Sequence, residues 1–445
     1  MNDFSKNSLI TFSTEVLVFI FSFGTLIILS RVLGPIGKGI YSLILLIPGL
    51  MMTFGSFGIN TANVYFVGSK RYKIQDATSN SLILAILLGF ILILIFWGIT
   101  QFDFFQNFIS FNQIPPFYLW LVVLIIPMPL LSSFFRSILW AKGEIINCNK
   151  IRVIENAILF LAVMIFLLIF QQNIFGAVLS YILSIVGACL LSIFLVKKIT
   201  KFRLFLNKNL LKDSVVYGGK VYLANSISFL SYRLDMLLIA MFLAPAAVGF
   251  YSIAVSMAER LFITSGVLAA VLFTKISSLS DSEATAFTPK IVRHTFFIMI
   301  ITSLSLAVLA APLIKIIFGQ AFLPSVLPLL ILLPGIIAFG IGGVLAADLS
   351  GRGKPQFAIY SSFVCLIINV VLNILFIPKW GISGAAFASS IAYWADTLII
   401  IWAFLKISKR SLKDVLVIKA QDFQDYLRLI SNFREWLRVK KISIK

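Results

Sequence analysis

The sequence predicts an all-α polytopic membrane protein, with twelve transmembrane helices in two six-helix parallel-repeat lobes around a central cavity. Three observations carry this. The 445 residues are 60% hydrophobic and 12% charged, with mean hydropathy +1.03, whereas a soluble domain is about a quarter charged. Apolar runs of about 20 residues recur, each able to cross a hydrocarbon core as a helix, and the period-two alternation of barrel strands is absent. Sequence elements from the first half return in the second at a fixed offset.

The expected spans cover residues 8 to 30, 39 to 66, 78 to 100, 117 to 140, 153 to 170, 174 to 196, 217 to 242, 246 to 272, 294 to 314, 324 to 347, 356 to 377 and 381 to 405. The first run has full span length and no strongly basic stretch before a small-residue cleavage site. It therefore reads as helix one and not as a cleavable leader.

The net charge of +20 raises nucleic acid as a partner, but the distribution of Lys and Arg has a simpler cause in the positive bias of cytoplasmic loops. With the N-terminus inside, eighteen Lys and Arg fall on internal segments, from Lys6 to Lys354. The opposite loops hold four: Arg31, Lys38, Lys315 and Lys379. Both termini are therefore expected in the cytoplasm of a multi-pass cell-membrane protein, and no nucleic-acid partner is expected. Cys148, Cys189 and Cys365 are scattered without a CxxC pair, which excludes a disulfide framework. His294 is the single histidine and reads as interfacial, with a proton relay as the alternative. No metal-ligand cluster accompanies it, and neither metal nor cofactor is expected.

The repeat is specific. LGPIGKGIYSL at 33 to 43 returns as LAPAAVGFYSI at 243 to 253, pairing Pro35 with Pro245, Gly39 with Gly249 and Tyr41 with Tyr251 at an offset of 210. LWAKGE at 139 to 144 meets LSGRGK at 349 to 354 at that same offset, and NIFGAV at 173 to 178 meets GISGAA at 381 to 386 close to it. Both halves begin on one side of the membrane, so the duplication is parallel, about an axis along the membrane normal. The domains expected are an N-terminal lobe over 1–196, a cytoplasmic linker over 197–216, a C-terminal lobe over 217–405 and a basic tail over 406–445. The Pro-x-x-x-Gly-x-Tyr-Ser element reads as a tight outer turn with a structural role, since Pro limits helix continuation and Gly permits close backbone approach.

In the tail, Phe423, Leu427, Ile430, Phe433 and Leu437 share a stripe among Arg428, Arg434, Arg438 and Lys440. That is an amphipathic helix suited to anionic inner-leaflet lipids. A docking segment for a protein partner is the alternative.

Ionisable residues inside spans are costly and therefore mark candidate sites. Arg233 and Asp235 belong to span seven, Glu259 and Arg260 fall near the middle of span eight, and Asp396 lies in span twelve. Arg233 and Glu259 differ in depth by about 6 Å at 1.5 Å per residue. They are expected to pair, leaving Arg260 or Asp235 for the cavity. The competing reading has all four neutralising one another. In the first half, Glu15 and Arg136 lie near the inner face and Arg31 at the outer end of helix one. Snorkelling accounts for both arginines, and bidentate phosphate recognition accounts for them equally. There is no Walker motif, no HExxH and no sizeable extramembrane domain, which argues against an enzyme.

The run ILSRVLGPIGKGIYSL, its echo YRLDMLLIAMFLAPAAVGFYSIA and the LWAKGE segment resemble the Wzx-type flippases of the multidrug/oligosaccharidyl-lipid/polysaccharide exporter superfamily. The Arg-x-Leu-Gly-Pro element at Arg31 to Pro35 is the most specific part, and the tail lies outside the resemblance. The resemblance implies translocation of a polyprenyl-pyrophosphate-linked oligosaccharide by alternating access between two lobes. It implies a substrate cavity with cationic residues, the candidates being Arg31, Arg136, Arg233 and Arg260. Glu15, Asp235, Glu259 and Asp396 are the candidates for ion coupling or charge pairing. Polysaccharide polymerase machinery is a further expected partner. A cation-coupled multidrug exporter of the same superfamily and a peptidoglycan lipid-precursor flippase are the alternatives. A membrane glycosyltransferase would need catalytic groups on an external loop, and the longest, 101 to 116, holds only Asp103.

Overall fold

A computed structural model describes residues 3–102, 111–202, 204–277, 279–417, 419 and 422, and among these every regular element is helical. In chain order these are α1 (Asp3–Gly55), α2 (Ile59–Gly68), α3 (Ile74–Thr100), α4 (Pro116–Leu124), α5 (Pro127–Ala141), α6 (Ile145–Val163), α7 (Ile174–Ile199) and α8 (Lys208–Phe242). The chain continues with α9 (Pro245–Glu259), α10 (Phe262–Ile276), α11 (Asp281–Ile317), α12 (Val326–Gly351), α13 (Gln356–Ser408) and the short α14 (Leu412–Leu416). A π turn, Met164–Ile169, extends α6, and a 3-10 turn, Gln320–Ser325, precedes α12. The stripe at Phe423 to Leu437 and the loop residue Asp103 lie outside the described residues.

Eight of these helical stretches are long and apolar enough to cross a membrane, and nine with the bent pair α9 and α10. The twelve expected spans are reached when α1 and α13 are each counted as two and α8 is added. Both long helices have 53 residues, about 80 Å at 1.5 Å per residue, and each is broken at one glycine. Gly34 (φ 65, ψ −176) interrupts α1 before Pro35, and Gly381 (φ 58, ψ −139) interrupts α13. A β-carbon is strained at such positive φ, which is why the breaks fall on glycines.

Three expected spans are not continuous helices. The span at 39 to 66 stops at Gly55 and restarts after Phe57 (φ 44) and Gly58 (φ 70). The span at 117 to 140 is divided before Pro127, whose ring cannot supply the next helical N–H. The span at 246 to 272 bends by 43° between α9 and α10. Glu259 therefore closes α9 and Arg260 lies in the break, neither of them mid-helix.

The chain forms two compact units, residues Met1–Ala254 with Ala311–Pro328 and Val370–Ala385, and residues Val255–Ala310 with Leu329–Asn369 and Ala386–Lys445. In the first, the helices approach through small residues, as expected where lipid removes the hydrophobic drive between helices. A β-carbon on Gly39 would stand 1.8 Å from the Pro245 carbonyl oxygen, and one on Gly249 would stand 2.1 Å from that of Pro35. The two copies of the Pro-x-x-x-Gly element thus cross each other reciprocally, the contact pattern of a two-fold relation. Gly58 and Gly218 make a second crossing, where a β-carbon on Gly58 would stand 2.2 Å from the Gly218 carbonyl oxygen and one on Gly218 2.5 Å from that of Gly58. The LWAKGE and LSGRGK pair adopts the same turn twice. Gly143 (φ 77) and Gly353 (φ 74) each donate to the carbonyl three residues back, and the next residue donates to the one five back. Lys38, counted with the outer loops from sequence, instead lies inside α1, 7% exposed, donating to Ser42 Oγ at 2.8 Å.

The outward faces are apolar. On α3, Ile86, Phe90, Ile91, Leu94 and Trp97 are exposed, the arrangement a lipid-facing helix requires. Polar residues turn inward and pair between helices. Asn63 donates to Ser81 at 3.0 Å and Ser137 at 3.1 Å, and Asn369 donates to Ser389 at 3.1 Å in the second unit. Such bonds contribute about 0.6 kcal/mol each on average, with values near 2 as the upper end.

Arg352 and Arg293 each make a buried ion pair in the second unit. Arg352 donates to Asp348 at 2.7 Å, and Asp348 also accepts from Thr288. Arg293 on α11 grips Asp422 with two nitrogens, at 2.6 and 3.0 Å, and donates to the Asp414 carbonyl at 2.6 Å. The chain beyond α13 is thereby fastened to α11. The hydrogen bond from Arg293 holds the Asp422 carboxyl down at about 2. A depressed carboxylate stabilises above its unfolded value of about 3.9, and the contribution is lost as pH falls from there through about 2. The fastening is therefore expected to persist unchanged from pH 8 to 5. Amide-exchange protection of residues 411–417 should be constant over that range and fall in Asp422→Ala at pH 7. Equal protection in the variant would remove this role from the pair.

Candidate functional site

A cavity of about 530 Å³ opens in the first unit where α1, α2, α5 and α6 converge. Each helix supplies one face at helical spacing. Thr11 and Glu15 come from α1; Asn60, Thr61 and Val64 from α2; Ser133, Arg136, Ser137 and Trp140 from α5; Cys148, Asn149 and Arg152 from α6. The break at Phe57 and Gly58 sets the start of α2 and so the position of Asn60. The walls are tied together by Asn60 to Ser133 at 3.0 Å and Asn149 to Thr11 at 3.2 Å.

One carboxylate, Glu15, and two guanidiniums, Arg136 and Arg152, line the cavity, and a second carboxylate, Glu155, neighbours Arg136. Arg152 holds Glu15 bidentately, at 2.5 and 3.1 Å. Arg136 lies 3.8 Å from Glu155 on α6, within ion-pair range but beyond a hydrogen bond. The Arg136 guanidinium makes no hydrogen bond among the described residues. It therefore keeps its fork of N–H donors for whatever occupies the cavity, in the geometry that suits a phosphate bidentately. Formal charges at the site cancel, so Glu155 attracts Arg136 without consuming its donors.

The sequence candidates are thus distributed unevenly. Glu15 and Arg136 meet at this cavity. Arg31 lies at another, of about 330 Å³, lined also by Ser30, Phe318, Gln320 and Phe322. Its Nε donates to the Ile317 carbonyl at 2.8 Å and another nitrogen to that of Ile316, so it caps the C-terminus of α11. Asp235 is 1% exposed and accepts from Tyr251 Oη at 2.6 Å and from the Met236 amide at 2.7 Å. The tyrosine of the second repeat element is thus an anchor for that acid. Arg233 is half-buried on α8, and Arg260 half-buried at the α9–α10 break. Asp396, 5% exposed on α13, faces the Ser361 hydroxyl.

Arg152, Glu155, Asn60 and Asn149 were not singled out from sequence. Arg152 had been counted as a loop charge, yet its spacing of three residues from Glu155 put both on one helical face, a signal that marks α6 as polar along that side. No group of three His, Cys, Asp or Glu suited to a metal occurs among the described residues.

Fold and site define a polytopic membrane protein with a polar cavity inside a helical lobe. Residues 4–280 match the family described as polysaccharide biosynthesis protein. The chain belongs to that family. It is 26% identical over 286 residues to an uncharacterised membrane protein of Methanocaldococcus jannaschii, covering 62% of this chain and 56% of that one. It is 22% identical over 170 residues to Agl15 of Haloferax volcanii, named a low-salt glycan biosynthesis flippase, covering 37% of this chain and 36% of the relative. The chain therefore matches about half or less of the length of these two relatives. A protein of Shigella flexneri named as an O-antigen transporter is 21% identical, covering 85% of this chain and 92% of its own. Among solved structures, an inward closed form of the lipid II flippase MurJ is similar with a TM-score of 0.75, 98% coverage of both chains and 16% identity. An inward-facing multidrug MATE transporter is similar with a TM-score of 0.68, covering 88% of this chain and 95% of that one, also at 16% identity. At that identity the likeness shows the fold alone, which both structures share with this chain.

Proposed function

We propose that the protein is a flippase that carries a polyprenyl-pyrophosphate-linked oligosaccharide, a precursor of cell-surface polysaccharide, across the cytoplasmic membrane by alternating access. The observation that carries this reading is Arg136, an arginine with open donors in a polar cavity within a chain of the polysaccharide biosynthesis family. The anion it fits is the pyrophosphate. The six-helix lobes over 1–196 and 217–405, joined by the linker at 197–216, are the moving parts in this proposal, and the reciprocal crossing of their repeated elements supports it. Both termini lie in the cytoplasm, an orientation supported by the loop charges, and the basic tail rests on anionic inner-leaflet lipids. Polysaccharide polymerase machinery receives the product. The protein performs no covalent chemistry on its cargo.

A cation-coupled drug exporter would place open carboxylates in the cavity. Glu15 is instead held by two nitrogens of Arg152 and Glu155 faces Arg136, which favours an anionic cargo. The test is purified protein in proteoliposomes with a fluorescent undecaprenyl-pyrophosphate oligosaccharide in one leaflet. Protein-dependent transfer to the opposite leaflet is expected. Transfer equal to that of empty liposomes, together with substrate-stimulated cation uptake for an organic cation, would replace the flippase with the exporter.

A further inference from the structure

A second, smaller cavity of about 250 Å³ adjoins the first in the same unit, between the α1–α2 break and α8. Its polar lining is Thr53, Ser56, Asn60, Thr61, Tyr222 and Ser226, with Phe229 completing the wall. No Asp, Glu, Lys, Arg or His is among its lining residues. Asn60 and Thr61 line both cavities, so a ligand anchored at Arg136 reaches the second cavity past those two side chains.

Two polar atoms here are left over. Ser226 is 5% exposed, and its Oγ has no hydrogen-bond partner among the described residues; the same holds for Asn60 Oδ1. The Asn60 amide nitrogen is committed to Ser133 and the Tyr222 hydroxyl to the Phe54 carbonyl at 2.9 Å. The Tyr222 ring is itself stacked on Phe57, centroids 5.5 Å apart and 17° between planes, which fixes its orientation. Buried polar atoms are rarely left without a partner. A charged ligand would meet no counter-charge here, and a hydrocarbon would leave Ser226 and Asn60 unsatisfied. A ring with hydroxyls at its edge and C–H groups on its faces satisfies both the orphaned atoms and the aromatic wall.

We propose that this cavity is a subsite for a single neutral sugar residue, the one attached directly to the pyrophosphate held at Arg136. The inference rests on the flippase reading and deepens it. Charge recognition is confined to the first cavity and sugar recognition to the second. Selectivity here therefore comes from hydroxyl and amide hydrogen bonds, with an uncharged first sugar preferred over a uronic acid. An acidic sugar would bring a carboxylate into a space that offers only hydroxyls, an amide and aromatic faces, and would lose its hydration without recompense.

The experiment is equilibrium binding to full-length protein in nanodiscs, using undecaprenyl pyrophosphate, undecaprenyl-pyrophosphoryl-N-acetylglucosamine, undecaprenyl-pyrophosphoryl-galactose and undecaprenyl-pyrophosphoryl-glucuronic acid. At least one neutral sugar lipid is expected to bind about fivefold or more tighter than the bare pyrophosphate lipid, the scale of one or two neutral hydrogen bonds. The uronic acid lipid should gain nothing. Ser226→Ala and Thr53→Val should abolish the sugar increment while the bare lipid binds as before, and Ser226→Thr, which keeps the hydroxyl, should retain it should the alanine variant fold poorly. No increment for either neutral sugar, or an increment that survives Ser226→Ala and Thr53→Val, overturns the subsite and leaves water as the occupant of the cavity. Absence of saturable binding by every pyrophosphate lipid, unchanged by Arg136→Ala, overturns the flippase reading along with it.

Discussion

Arg136→Ala is expected to slow transbilayer movement of an undecaprenyl-pyrophosphate oligosaccharide by about 10- to 100-fold at equal protein density, the scale of one or two charge-assisted hydrogen bonds. The guanidinium is half-buried and makes no hydrogen bond among the described residues, so its donors are available to cargo and their removal falls on the transported state. Arg136→Lys should recover part of the rate, because an ammonium keeps the charge but loses the planar fork. Truncation also leaves Glu155 without its neighbour, which by itself repels an anion. Combining Arg136→Ala with Glu155→Gln separates the two effects. If the double variant regains wild-type flipping, the arginine acts only by neutralising Glu155 and the proposed contact with pyrophosphate is wrong. Arg152→Ala works differently, because it exposes Glu15, and the loss it causes should be reversed by Glu15→Gln.

Gly39→Ala and Gly249→Ala are each expected to destabilise the folded protein by about 1–3 kcal/mol or more, the cost of overpacking a site that cannot relax. The added β-carbon meets backbone carbonyl oxygens, at 1.8 Å for Gly39 and 2.1 Å for Gly249, so no rotamer change relieves it. Two helices must separate instead. The matched control is Gly343→Ala on α12, where a β-carbon meets nothing within 4 Å and where replacing helical glycine is neutral or slightly favourable. Thermal unfolding of purified protein in one detergent checks this. Gly39→Ala melting together with Gly343→Ala would show the crossing to be looser than described.

Much of the fold was legible because the features that encode it are local or periodic. Apolar run length gave the helices, and the reappearance of Pro35, Gly39 and Tyr41 at Pro245, Gly249 and Tyr251 gave the repeat. The interruptions were less legible. Gly58, Pro127 and the Arg260 break look in sequence like ordinary members of apolar runs, and whether a glycine or proline bends a membrane helix depends on the neighbour that accepts the freed backbone groups.

The candidate site was legible by half. Glu15 and Arg136 stood out because charges inside apolar runs are costly, and they do share a cavity. Arg152 lay next to a loop and was absorbed into its count of Lys and Arg, Glu155 fell within the expected span at 153 to 170 without being singled out, and Asn60, Asn149 and Ser226 carry no charge and vanish among the Ser, Thr and Asn that membrane helices use for packing. Arg31 carried the most specific sequence element, yet its visible contacts are with the end of α11, a partner 285 residues away that spacing along the chain cannot supply.

The mutual seating of Gly39 and Gly249 ties the histories of two distant codons together. Each glycine is constrained by the backbone of the other copy, so neither repeat can acquire a side chain there unless its counterpart shifts. In that respect the polypeptide behaves as a homodimer whose subunits have been fused, inheriting at this point the self-complementary rule of a symmetric interface. Elsewhere the halves are chemically unequal, with Asp235 bonded to Tyr251 in one and Thr25 at the equivalent position of the other, while at this seam their equivalence is enforced by steric contact.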